Sequence, residues 1–254
     1  MTPQHHVLVL SPHFDDVALS LGQSLLDGHL SRCRVRVRVA FGRTNWTVWV
    51  HPNRRRAVPV SLWRRMEETA AALRFGYRWR AGSWEESVLR TGQLDPDLLL
   101  DAERDLDDDP LVEELGRWVV AQVEGSRRTP DLLLSCAGLG GHVDHRLLAA
   151  AVAKVAPRLA VPVGYYEDRP YAAYLDEAAR AAQLAFLGPC AESVDVSGPV
   201  TAATQRWVRR CYPSQIDGFF REAMDLDRAT GSAERIWFPA GARPDWLARA
   251  GCRT

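Results

Sequence analysis

The chain has 254 residues, 46% of them hydrophobic and 25% charged, and a formal net charge of zero. That length and balance suit one α/β domain with a sizeable core of its own, and the neutral charge gives no footprint for nucleic acid or an anionic membrane surface. The five cysteines (Cys33, Cys136, Cys190, Cys211 and Cys252) form no C-x-x-C pair and are odd in number, so they read as reduced thiols of a cytoplasmic protein rather than a disulfide framework.

The opening MTPQHH lacks a basic region followed by a long apolar run, so neither a signal peptide nor a membrane span is expected. Val7–Leu10 is a short apolar run, the signature of a buried parallel strand. Asp16–Leu26 has helical spacing, with Gly28 just beyond its end. Arg34–Phe41 alternates as RVRVRVAF, which predicts a second strand. Residues 42–60 lack a clear period and read as a long loop. Ser61–Phe75 is expected to be helical, with Ser61 as a cap and Gly76 as the stop. Residues 83–109 are weakly patterned and acidic, and read as a solvated surface segment. A helix is expected over Pro110–Glu124 and a buried strand over Asp131–Cys136. The glycine-rich AGLGGHVDH follows, then a helix from about Asp144 to Val155 and a strand at Val161–Tyr165. Helices are expected at 171–186, 200–211 and 213–229, and a late strand at 234–238. Strands alternating with helices predict a three-layer, Rossmann-like α/β fold with a mainly parallel sheet, in a single domain over residues 1–254.

In such sheets ligands bind beyond the carboxyl ends of the strands. Two polar clusters fall there: His13, Asp15 and Asp16 after the first strand, and His142, Asp144 and His145 after the strand at 131–136. Imidazole and carboxylate are good zinc ligands, and a catalytic site takes three of them with one position left for water. The surplus groups then have work available. A carboxylate can take a proton from that water, and a histidine that is not a ligand can stabilise an oxyanion or protonate a leaving amine. The inventory suits hydrolysis of an amide or related acyl bond. The bland alternative for either cluster is a helix-capping aspartate beside a satisfied histidine.

SPHFDDVALSLG resembles the first motif of the PIG-L/LmbE-like deacetylases, usually A-H-P-D-D-E, and GGHVDH resembles their second, usually G-H-P-D-H. RMEETAAALRFG at 65–76, YYEDRPY at 165–171 and YPSQ at 212–215 are also similar to segments of that family, so the resemblance runs from Val7 to about Arg228. It implies a zinc-dependent amidase, with iron(II) as the alternative metal, acting on N-acetylglucosamine-type groups. Carried over residue by residue, it implies His13, Asp16 and His145 as metal ligands, Asp15 as general base, His142 as oxyanion or amine partner, and Asp144 as the group tuning His142. Phe14 stands where the family has Pro, Val17 where it has Glu, and Val143 where it has Pro. Gly140 and Gly141 occupy the stretch where some relatives carry a tyrosine.

For substrate binding the candidates are Arg43, Asn45 and Trp46 beyond the second strand, Arg65 on its helix, and Glu167 and Asp168 after a later strand. Aromatic faces suit sugar rings and arginine suits anionic groups. The expected partner is a small N-acylated sugar or glycoconjugate, and a homo-oligomer is compatible with the sequence. Competing readings are an amidase of the same family cleaving another C–N bond, such as a thiol-conjugate amidase, and a non-catalytic binding protein that kept the fold. A nucleotide-binding Rossmann protein is disfavoured, because the first strand lacks a G-x-G-x-x-G turn and acidic residues stand where a pyrophosphate would sit.

Overall fold

The computed structural model describes residues 4–106 and 108–248. Seven strands form one sheet: β1 (His6–Ser11), β2 (Arg34–Val39), β3 (Arg78–Ala81), β4 (Leu132–Cys136), β5 (Val163–Tyr166), β6 (Glu192–Pro199) and β7 (Ala233–Phe238). Ten α-helices accompany them among the described residues: α1 (Asp16–Leu26), α2 (Ala57–Phe75), α3 (Ser87–Thr91), α4 (Pro96–Leu99), α5 (Pro110–Glu124), α6 (Val143–Val155), α7 (Glu177–Gln183), α8 (Ala202–Cys211), α9 (Gly218–Ala229) and α10 (Asp245–Ala248).

The strand order is β3-β2-β1-β4-β5-β7-β6. The first five strands are parallel, and β7 and β6 add an antiparallel edge. Central strands buried on both faces need continuous apolar runs, and VLVL and LLL supply them: Val7–Leu10 and Leu132–Leu134 are at most 2% exposed. Each such side chain contributes on the order of 1.5–3 kcal/mol of transfer free energy. The order of connection reverses between β1 and β4, the switch point where the carboxyl ends of neighbouring strands open a crevice.

Two strands escape the hydropathy pattern. β3 (RWRA) is a four-residue edge and β6 (ESVDVSGP) is an edge with half-exposed charged positions; neither needs the apolar run of a central strand. Helix α2 starts at Ala57, four residues before the expected cap, because Pro59 lies in the first turn, where its missing N–H costs nothing. Ser61 is inside the helix, and its hydroxyl instead receives the Thr44 N–H at 2.9 Å. Gly76 ends the helix in the left-handed region, with φ 78°. The expected helix at 171–186 is broken into short turns around α7, and that at 213–229 begins at Gly218. Segment 83–109 is exposed over 91–95 and 102–105, as expected, but it turns inward at Glu86, Ser87, Val88 and Leu89, which are buried, and Leu100 pairs with the backbone of His142.

Candidate active site

β1 delivers the first cluster. Asp15 occupies the cap position of α1, yet its side chain makes no capping bond. It accepts a hydrogen bond from Arg64 Nη2 at 2.8 Å. Asp16 turns back, and its Oδ2 accepts the His13 N–H at 2.6 Å. Helix capping therefore accounts for neither carboxylate. β4 and its glycine turn deliver the second cluster. Gly140 and Gly141 have φ near 80°, and a Cβ on Gly140 would lie 2.3 Å from Tyr171 Cβ, so glycine is required for this approach.

The clusters converge. His13 Nδ1 lies 3.2 Å from His145 Nε2 and 3.4 Å from Asp16 Oδ2, and His145 Nε2 lies 3.4 Å from Asp16 Oδ1. Zinc bonds of about 2.0–2.1 Å at tetrahedral angles put ligand atoms about 3.3–3.4 Å apart. The two imidazole nitrogens thus stand near the spacing of two zinc ligands, with one oxygen of the Asp16 carboxylate at a similar distance from each. The far nitrogen of each ring is oriented by a carboxylate: His145 Nδ1 donates to Asp168 at 2.6 Å, and His13 Nε2 donates to Asp144 at 3.1 Å. Such pairs fix the tautomer that presents a lone pair to a metal. Burial pushes Asp16 up, but the adjacent His145 and His13 outweigh it and hold the carboxyl well below its ordinary range.

His142 also offers a ring nitrogen within 4.8 Å of those of His13 and His145. Its Nδ1 accepts the Asp144 N–H at 3.2 Å. In that tautomer Nε2 carries the proton and is a hydrogen-bond donor. Burial, reinforced by His13 and His145, holds His142 well below the ordinary histidine value, so it is neutral. A second cluster, Cys136 with His145 and Asp168, is internally satisfied: the thiol donates to the His145 carbonyl, and Asp168 accepts from the Ala137 and Leu139 N–H groups.

A cavity of about 340 Å³ opens over His13, Asp15, Asp16 and His142. Its lining is mixed: Arg64, Glu86, Gln215 and Asp217 are polar, and Val88, Leu94, Leu99, Leu100, Phe219 and Phe220 are apolar. Burial raises Asp15, against the pull of Arg64 and with a further push from Asp16. Glu86, 4.0 Å from His13 Nε2, is likewise raised by burial against His13 and Arg64.

No family model matches the sequence. A 2'-N-acetylparomamine deacetylase of Streptomyces fradiae is 32% identical over 265 residues, which covers 92% of this chain and 90% of the relative. The chain belongs to the PIG-L/LmbE-like deacetylase family. Two solved structures share the fold of this deacetylase. One is a deacetylase from the teicoplanin biosynthesis pathway, with TM-score 0.64 and 23% identity over 91% of this chain and 96% of that one. The other is the A40926 pseudoaglycone deacetylase Dbv21, with TM-score 0.65 and 20% identity over 93% and 97%. The protein is accordingly a metal-dependent hydrolase of C–N bonds other than peptide bonds, and its donor set fits zinc.

The deacetylase brings His13, Asp15, Asp16 and His142 to one cavity, with His145 directly behind them. The Asp144 carboxylate bonds His13 rather than the His142 ring, which it reaches through its backbone N–H and its charge, and it is itself held by Arg90 at 2.7 Å and by the Ser87 N–H. Arg64, not Arg65, enters the site; the earlier start of α2 does not change its phase, but charged residues gave no sign of which face is inward. Arg65 is half-buried, away from the cavity. Trp46 lines the cavity, whereas Arg43 is a half-exposed partner of Glu85 at 3.3 Å and Asn45 is buried outside it. Asp168 lies behind His145. Glu167 is turned to Arg180 and to the Trp237 indole, each at 3.0 Å. Sequence reasoning missed Glu86, Tyr171 and the Phe219–Phe220 pair. Tyr171 and Gln215 do fall in the quoted YYEDRPY and YPSQ segments, which is the signal that was available. The departures are packing solutions: Phe14 is buried edge-on against Trp79 with Arg64 5.6 Å above its ring, and Val17 and Val143 are core residues.

Proposed function

We propose that this enzyme removes the acetyl group from an N-acetylated amino sugar or glycosylated small molecule, acting as a single domain in the cytoplasm. The observation that carries the site assignment is the triangle of His13, Asp16 and His145 donors beneath a cavity flanked by Asp15 and His142. The four described cysteines are free thiols, which supports a reducing compartment. Among the described residues no helix is long and apolar enough to cross a membrane.

His13, Asp16 and His145 would hold the zinc, which would supply Lewis acidity and lower the pKa of bound water. Asp15 takes a proton from the attacking water, its carboxylate fixed by Arg64. Its raised pKa makes it a stronger base than an exposed aspartate. His142 keeps its proton and gives a hydrogen bond from Nε2–H to the oxygen that becomes negative as water adds to the carbonyl carbon. The C–N bond then breaks, the amine leaves with the proton collected by Asp15, and acetate remains. Arg64 and Glu86 offer a donor and an acceptor to sugar hydroxyls, and Trp46 offers a ring face.

The test is acetate release by the zinc-loaded protein across N-acetylated sugars, nucleotide sugars, aminoglycosides and glycopeptides. Turnover of one class with release of a free amine is expected. Silence towards acetyl groups with hydrolysis of another amide would move the assignment to an amidase on a different C–N bond.

A further inference from the structure

The cavity does not end at the polar groups. From His142 a chain of rings runs outward: Tyr171 at 5.9 Å, Phe219 at 6.0 Å from Tyr171, then Tyr174 stacked on Phe219 at 5.2 Å with planes 23° apart. Phe219 is 39% exposed and Tyr174 44%, and Leu94 and Leu100, which line the same cavity, are 39% and 38% exposed. Several large apolar side chains left in water at one cavity mouth mark a ligand groove. Neither wall is loose. Asp217 caps α9 by accepting the Phe220 N–H at 2.9 Å, which fixes the Phe219–Phe220 turn. Leu100 is tied to the backbone of His142 by a β-bridge. A sugar engaged by Arg64 and Glu86 has no use for these exposed apolar side chains.

We infer that Tyr171, Phe219, Tyr174, Leu94 and Leu100 form an apolar subsite, continuous with the catalytic cavity, that binds an apolar group carried by the substrate. This inference rests on the deacetylase reading and narrows its substrate class to amphiphilic molecules. The apolar group has two available sources, an aglycone on the sugar or a long acyl chain on its nitrogen.

Calorimetric binding and turnover are measured on the zinc-loaded enzyme with N-acetylglucosamine, its hexyl and 4-nitrophenyl glycosides, and N-octanoylglucosamine. Wild type is expected to bind at least one apolar derivative about tenfold or more tightly than N-acetylglucosamine. Phe219→Ala and Tyr174→Ala should each shrink that ratio several-fold. Preference for the glycosides places the group on the sugar, and preference for the octanoyl amide places it on the acyl chain. Equal affinities in wild type, or a preference that survives in both variants, would overturn the subsite. Tight ring-dependent binding without release of any acyl group would leave the subsite standing and count against the deacetylase reading instead.

Discussion

Asp168→Asn separates a metal-orienting role from a substrate-binding one. Asp168 is 1% exposed, with Oδ1 taking the His145 Nδ1 proton at 2.6 Å and Oδ2 taking two backbone N–H groups at 3.0 and 2.9 Å. An asparagine cannot satisfy both sides. With its oxygen towards His145, its NH₂ meets two buried N–H donors, at about 1–3 kcal/mol for each group left unpaired. With its NH₂ towards His145, the ring must carry its proton on Nε2, the atom offered to the metal. The first arrangement costs fold stability, and the second loses the ligand's tautomer, worth about 10–100-fold in metal affinity, or about 1.4–2.7 kcal/mol. Competition with a zinc-chelating dye should show that loss, together with a lower denaturation midpoint. Unchanged zinc affinity with a raised KM would refute the orienting role and return Asp168 to the substrate.

Asp15→Asn should keep its zinc and lose about 10²–10⁴-fold in kcat, read by acetate release and metal analysis on the same sample; near-normal turnover would remove it as the base. Arg64→Met leaves Asp15 as an unpaired buried charge and should cost about 3–5 kcal/mol by urea denaturation. Arg65→Ala, outside the cavity, should stay within about 0.5 kcal/mol of wild type. Glu68 is fully buried, with the Tyr77 and Tyr212 hydroxyls at 3.0 and 2.6 Å, and burial raises its pKa well above the ordinary glutamate value. A raised folded-state pKa means that the neutral acid stabilises the fold below the unfolded value and that this contribution is lost as pH rises through the folded one. Denaturation midpoints against pH should therefore fall across that window in wild type and fall less in Glu68→Gln; parallel curves would show that Glu68 is ionised.

The apolar runs of β1 and β4, each followed at once by histidine and aspartate, were readable because a buried central strand must be apolar and its end must not be. The edge strands β3 and β6 bear no such demand, so their sequences look like loops. Arg64 was missed because the inward face of α2 carries Arg64, Glu67 and Glu68, which are buried by pairing with Asp15, Ser214 and the two tyrosines. Hydropathy assigns such a face to solvent. The buried turn at 86–89 was not legible for the same reason: Glu86 is charged, and only tertiary partners such as His13 bring it inside, while Arg90 reaches Asp144 from the rim. Asp168 was legible as a polar residue at a strand end, but the direction of its side chain depends on the glycine turn across from it.

The central claim is that His13, Asp16 and His145 hold the metal while His142 faces the substrate. Metal analysis of purified wild type, His13→Ala, His145→Ala and His142→Ala tests it most directly. The account predicts stoichiometric zinc in wild type and in His142→Ala, with turnover lost in the latter, and no retained zinc in the other two variants. Zinc lost from His142→Ala, or retained by His13→Ala and His145→Ala, would contradict it.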